Sequence, residues 1–112
     1  MSLIIYKHNF NTKFSDEKVV IEKVAETQNA RILLFFLKKG QIIKLHQSPS
    51  DVILTVLEGN GRFFIGSKEE YRDLSPGETI FYEPNEPHGF KALENLVVQA
   101  IITPIPTKKI SL

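Results

Sequence analysis

Apolar residues fall along this chain in short runs rich in Val, Ile and Phe, and glycine, proline and small polar residues separate them. No stretch keeps a helical period over a useful length, and turn signals return about every 8–12 residues, the spacing of an antiparallel sandwich or barrel. The pattern predicts strands at Leu3–Tyr6, Val19–Val24, Arg31–Leu37, Ile42–Leu45, Val52–Leu57, Arg62–Ile65, Glu69–Asp73, Thr79–Tyr82, Phe90–Ala92 and Leu96–Thr103. Glu58-Gly59-Asn60-Gly61 is built of residues that tolerate positive φ, so it reads as a tight turn making Val52–Ile65 a hairpin. Pro49, Pro84, Pro87 and Pro104 interrupt pairing, because proline brings no N–H to a ladder.

Two of these runs, RILLFFL at 31–37 and LVVQAIIT at 96–103, are apolar on both faces. They predict cover on both sides: a core on one, and another sheet or a second subunit on the other. Leu3–Tyr6 offers a strand to a neighbour's sheet edge, so the expected assembly is a homodimer. The expectation is an all-β chain forming one domain over residues 1–112.

Composition narrows the function classes. A chain of 112 residues with 42% hydrophobic and 24% charged residues can bury one core. The net charge of +1 supplies no field for nucleic acid or an anionic membrane, and Lys38-Lys39 and Lys108-Lys109 read as solvated turns or tails. With no cysteine, disulfides, thiolate metal sites and thiol nucleophiles are excluded. The N-terminal apolar run is too short for a signal peptide and no run reaches membrane-span length, so the expected location is the cytoplasm.

The candidate chemistry lies in two glycine-bounded stretches. The first, Gly40–Gly61, carries His46, and the second, Gly77–Phe90, carries His88. Positions 46, 48, 52, 54 and 56 share strand parity, which predicts one inward-facing set interrupted at Pro49. Tyr82 and Glu83 are neighbours on a strand, so at most one of them faces inward. His8 sits in a polar stretch and reads as surface.

These stretches resemble the two motifs of the cupin superfamily, G-x5-H-x-H-x3,4-E-x6-G and G-x5-P-x-G-x2-H-x3-N. Gly40, His46 and Gly59 fall on the first motif, with Ser48 at its second histidine and Val52 at its glutamate. Gly77 and His88 fall on the second, with Glu83 at the proline, Asn85 at the glycine and Ala92 at the asparagine. The resemblance implies a double-stranded β-helix, or jelly-roll barrel, of the small RmlC-like kind, with a small-molecule ligand. It also implies one divalent metal ion (Zn, Ni, Fe or Mn), of whose ligands only His46 and His88 remain to hold it weakly; Glu83, where the family has proline, is the candidate for a third donor. Asp51, Glu86 and His8 are lesser donors. Ser48, Val52, Leu54, Tyr82 and Phe90 are expected to line the cavity.

The two histidines admit another reading, as ordinary barrel residues hydrogen-bonded to carbonyls or to Ser48 and Tyr82. Three functions stay open: a binding barrel anchored by His46 and His88, a metal-dependent dioxygenase or isomerase, and a dimerisation or sensor module.

Overall fold

The computed structural model describes residues 3–9 and 13–105, so the basic pair at 108–109 lies outside the described residues. Strands run in the order β1 (Val20–Glu26), β2 (Arg31–Leu37), β3 (Ile42–His46), β4 (Asp51–Glu58), β5 (Gly61–Ile65), β6 (Ser67–Leu74), β7 (Thr79–Tyr82), β8 (His88–Ala92) and β9 (Leu96–Thr103). Among the described residues no helix is long and apolar enough to cross a membrane. Leu3–Tyr6 is not a strand, and Leu3, Ile4 and Ile5 are exposed.

All pairing is antiparallel, in a five-stranded sheet ordered β1-β2-β9-β4-β7 and a four-stranded sheet ordered β3-β8-β5-β6. The expected Val52–Ile65 hairpin does not form. β4 pairs with β7 and β9, while β5 pairs with β6 and β8, so the turn at Gly59-Asn60 carries the chain from one sheet to the other. Gly59 has φ +79°, and a Cβ there would lie 2.0 Å from the Asn95 carbonyl oxygen. The crossing therefore needs glycine for its conformation and for the close passage beneath Asn95.

The facing sides of the two sheets make one core. Across the large sheet, Phe35, Val98 and Val56 stand in register, as do Leu33, Ala100, Leu54 and Ile80. Phe63 and Phe90 answer from the small sheet, their rings stacked at 5.0 Å, and Phe90 meets Phe35 edge-on at 5.7 Å. Such ring pairs add to the area they bury. Tyr82 ties the layers together: its hydroxyl donates to the Phe64 carbonyl at 2.6 Å, and burial pushes its phenol pKa up. A hydroxyl held this way remains a donor across the ordinary pH range.

The opposite faces of β2 and β9 carry Leu34, Phe36 and Val97, all at 0% exposure. Tyr6 and Phe14 from the N-terminal arm cover them, with Val20, Val24 and Leu57 alongside, and Phe14 meets Phe36 edge-on at 5.7 Å. The second cover that the sequence demands thus comes from this chain, and burial of these strands gives no reason for a partner subunit. If the arm is the cover, Phe14→Ala should destabilise the isolated chain by roughly 1–3 kcal/mol, less than a fully buried phenylalanine because Phe14 is half-buried. Urea unfolding measures this, and an unchanged midpoint would mean that something else covers Phe36.

Candidate functional site

The site is set by an irregularity in the small sheet. β3 and β8 pair Ile43 with Phe90 and then His46 with His88, so Lys44 and Leu45 together oppose Gly89. This is a β-bulge, in which one extra residue re-aims the rest of the strand. A Cβ on Gly89 would lie 2.6 Å from the Ile43 carbonyl oxygen and 3.0 Å from Leu45 N, so the bulge fits because position 89 has no side chain. Its consequence is that His46 stands directly opposite His88, on the same face of the sheet, with ring centroids 4.1 Å apart.

The loops beyond the two histidines hold each other. Gln47 donates its side-chain N–H to the Asn85 carbonyl at 2.8 Å, and the Asn85 N–H donates to the Ser48 carbonyl at 2.7 Å. Asn85 has φ +69°, a conformation that asparagine tolerates better than other residues with a Cβ.

Each histidine is fixed by its own strand end. The Nδ1–H of His46 donates to the Lys44 carbonyl at 2.8 Å, and that of His88 to the Glu86 carbonyl at 2.9 Å. A carbonyl only accepts, so in each ring Nδ1 carries the proton and, in the neutral ring, Nε2 carries a lone pair. Both Nε2 atoms are buried and neither has a hydrogen-bond partner. Burial holds the His88 pKa below the ordinary histidine value; the Glu86 carbonyl opposes the shift and His46 adds to it.

The rings border a cavity inside the barrel, lined besides by Phe35, Ile43, Val52, Leu54, Phe90, Ala100 and Ile102. With its mouth it spans about 250 Å³, of which about 20 Å³ is open to the centre of a water molecule. Ala100 stands between Leu33 and Leu54 in the large sheet, and its short side chain leaves room there.

Among the residues singled out from the sequence, His46, His88, Val52, Leu54 and Phe90 meet at this cavity. They do not share one strand face: His46 comes from β3 in one sheet and Val52 and Leu54 from β4 in the other, so the parity count across Pro49 joined residues that face each other. Ser48 is buried away from the lining, its hydroxyl accepting the Ser50 N–H at 3.2 Å. Tyr82 packs its ring 5.2 Å from that of His88 but spends its hydroxyl on Phe64. Neither Ser48 nor Tyr82 hydrogen-bonds to the histidines, because each is satisfied by backbone. Glu83 is exposed and borders a separate surface depression with Phe81 and Glu86. Alternation decides this, since its neighbour Tyr82 takes the inward position. His8 is half-buried against Tyr6, with ring centroids 5.0 Å apart. Sequence reasoning missed Gly89, whose place directly after His88 is the only signal it gives, and the lining supplied by Phe35, Ile43, Ala100 and Ile102, which only the closing of the two sheets brings to the cavity.

Comparison with known proteins agrees with this geometry. A family model described as the cupin domain matches residues 33–103. The chain is a cupin. Among solved structures, an RmlC-like cupin from Desulfovibrio desulfuricans is 29% identical at a TM-score of 0.79, over 89% of this chain and 97% of that one. The TT1209 protein of Thermus thermophilus is 25% identical at 0.79, over 93% and 100%. KdgF from Halomonas sp., at 24% identity, TM-score 0.78 and 96% of both chains, shows the shared fold. No curated protein matches the sequence.

In this cupin the histidines are oriented as metal ligands are, each donating its other N–H to a carbonyl. The rest of the donor set does not fit. Val52 puts hydrocarbon at the glutamate position, Ser48 is turned to backbone, and Glu83 faces outward. Among the described residues no group of three or more His, Cys, Asp or Glu could hold a metal ion. Zinc sites use three or four protein ligands, and two imidazoles fall short of that.

The depressed His88 pKa makes stability depend on pH. Above the ordinary histidine value of 6.5 the ring is neutral in both states, and its contribution is fully present. As pH falls below that, the unfolded chain takes up a proton that the folded chain resists, and the contribution is lost toward the folded pKa. Chelator-treated cupin should therefore lose stability on acidification by at most about 1.4 kcal/mol per pH unit from this residue. The slope of urea midpoints against pH should be shallower in His88→Gln; equal slopes would show that His88 is not the group responsible.

Proposed function

We propose that this cupin binds a small, largely apolar molecule inside its barrel, with the Nε2 atoms of His46 and His88 as the polar anchors. One observation carries the reading: two histidines that border a cavity with otherwise hydrocarbon walls each keep a buried ring nitrogen without a partner. Unpaired buried polar atoms cost free energy, and a ligand that satisfies them recovers it. Apolar walls with a few convergent polar atoms are the usual make-up of a small-molecule site. The volume is below that of drug-sized pockets, so the ligand, or the part of it that enters, is small. The test is a fragment screen by NMR on the full chain, beside His46→Leu. The expected result is a set of fragments that shift resonances of Val52, Leu54 and Phe90 and bind roughly tenfold or more weakly to the variant. A screen without binders, or equal affinity in a folded variant, would remove the reading.

A second reading, a metal-dependent dioxygenase or isomerase, is favoured by the ligand-like orientation of the two imidazoles. It needs donors from outside the chain to complete the metal's shell. Elemental analysis of protein purified without chelator or affinity tag separates the two. The incomplete donor set predicts metal well below one ion per chain, rising toward one when Ser48→His and Val52→Glu restore the family's donors. Near-stoichiometric metal in the unmodified protein, lost in His46→Ala, would replace the first reading with the second.

A further inference from the structure

We propose, resting on the binding reading above, that the cavity recognises an uncharged hydrogen-bond donor, a hydroxyl on a small apolar or aromatic body, and rejects carboxylates and other oxyanions of similar shape. The polarity of the site is set by its two outer hydrogen bonds. Because the Lys44 and Glu86 carbonyls hold the protons of both rings on Nδ1, the unpaired Nε2 of each ring is an acceptor, and the two rings border the cavity with centroids 4.1 Å apart.

The remaining wall offers nothing to an anion. Phe35, Ile43, Val52, Leu54, Phe90, Ala100 and Ile102 bring no side-chain donor and no positive charge. An oxyanion entering here would lose its water, meet two lone pairs and find no N–H or O–H. A cationic head could donate, but it would carry a charge into hydrocarbon with no carboxylate to balance it, since Glu83 and Glu86 are on the outside. A neutral hydroxyl carries one proton to one Nε2 at little desolvation cost. A second donor, from a bound water or an adjacent hydroxyl, would satisfy the other.

Size agrees with this choice. The space open to the centre of a water molecule, about 20 Å³, suits a head group of one heavy atom. The apolar or aromatic body then lies toward the open mouth, which is included in the larger volume of about 250 Å³.

The test uses full-length, chelator-treated protein with ¹⁵N-labelled histidines at about pH 8, where free imidazole is neutral. Ring nitrogen shifts first report the tautomers, and both rings should carry hydrogen on Nδ1. Phenol, anisole and benzoate are then titrated: a donor, its methylated counterpart without one, and an anion. Phenol should shift the Nε2 resonances of His46 and His88 saturably. Anisole should bind roughly tenfold or more weakly and benzoate should not saturate. Protonated Nε2 on either ring overturns the proposal. So does anisole or benzoate binding as tightly as phenol through the same resonances, although that result leaves the small-molecule reading intact. If none of the three moves any cavity resonance, both fall together.

Discussion

β9 is hydrogen-bonded on both sides and apolar on both faces, and the rest of the structure depends on covering it. Ladder bonds to β2 and β4 satisfy its backbone, leaving Val98, Ala100 and Ile102 on one face and Val97 on the other. The first face requires a second sheet, which brings Phe63 and Phe90 across the core. The second requires the N-terminal arm with Tyr6 and Phe14. Removing this much hydrocarbon from water is the main favourable term in folding, and it fixes where each layer can lie.

The histidine pair is an exception within that apolar frame. Two imidazoles occupy one end of a core otherwise built of aliphatic and aromatic side chains, and only their Nδ1 atoms are paired. Packing alone would favour hydrocarbon at both positions, since a buried acceptor without a donor destabilises the fold. The cost is accepted at the place where a cavity adjoins the acceptors, which is where local rules tend to give way to function. At the family's glutamate and second-histidine positions, Val52 brings hydrocarbon and Ser48 is turned to backbone, which is why the proposed reading is a neutral acceptor pocket and not a cation cage.

Much of this could be read from the chain before its structure. All nine strands from Val20 to Thr103 are identifiable by their residue runs and turn punctuation, and the spacing from Gly40 to His46 and from Gly77 to His88 points to the fold. The meeting of His46 and His88 was implied by that resemblance, while their distance and tautomers were not. Leu3–Tyr6 looked like a strand because β propensity records how a residue suits a half-buried surface, whereas here only Tyr6 packs on the sheet and Leu3, Ile4 and Ile5 stay exposed. The Val52–Ile65 turn looked like a hairpin because turn chemistry is local, whereas strand partners are chosen by the whole sheet.

By itself the sequence determined the all-β class, the inward alternation of β4, the absence of thiol chemistry and the deficit of metal donors, because these are matters of residue type at fixed spacing. Tertiary structure decided which strands share a sheet, that the chain's own arm covers β2 and β9, and that Tyr82 and not its neighbour Glu83 takes the inward position. It also decided that Gly89 admits the bulge which sets the two imidazoles side by side with bare Nε2 atoms. These depend on contacts between residues far apart in the chain, whose energies become available only when the layers close on one another, and no local pattern encodes them.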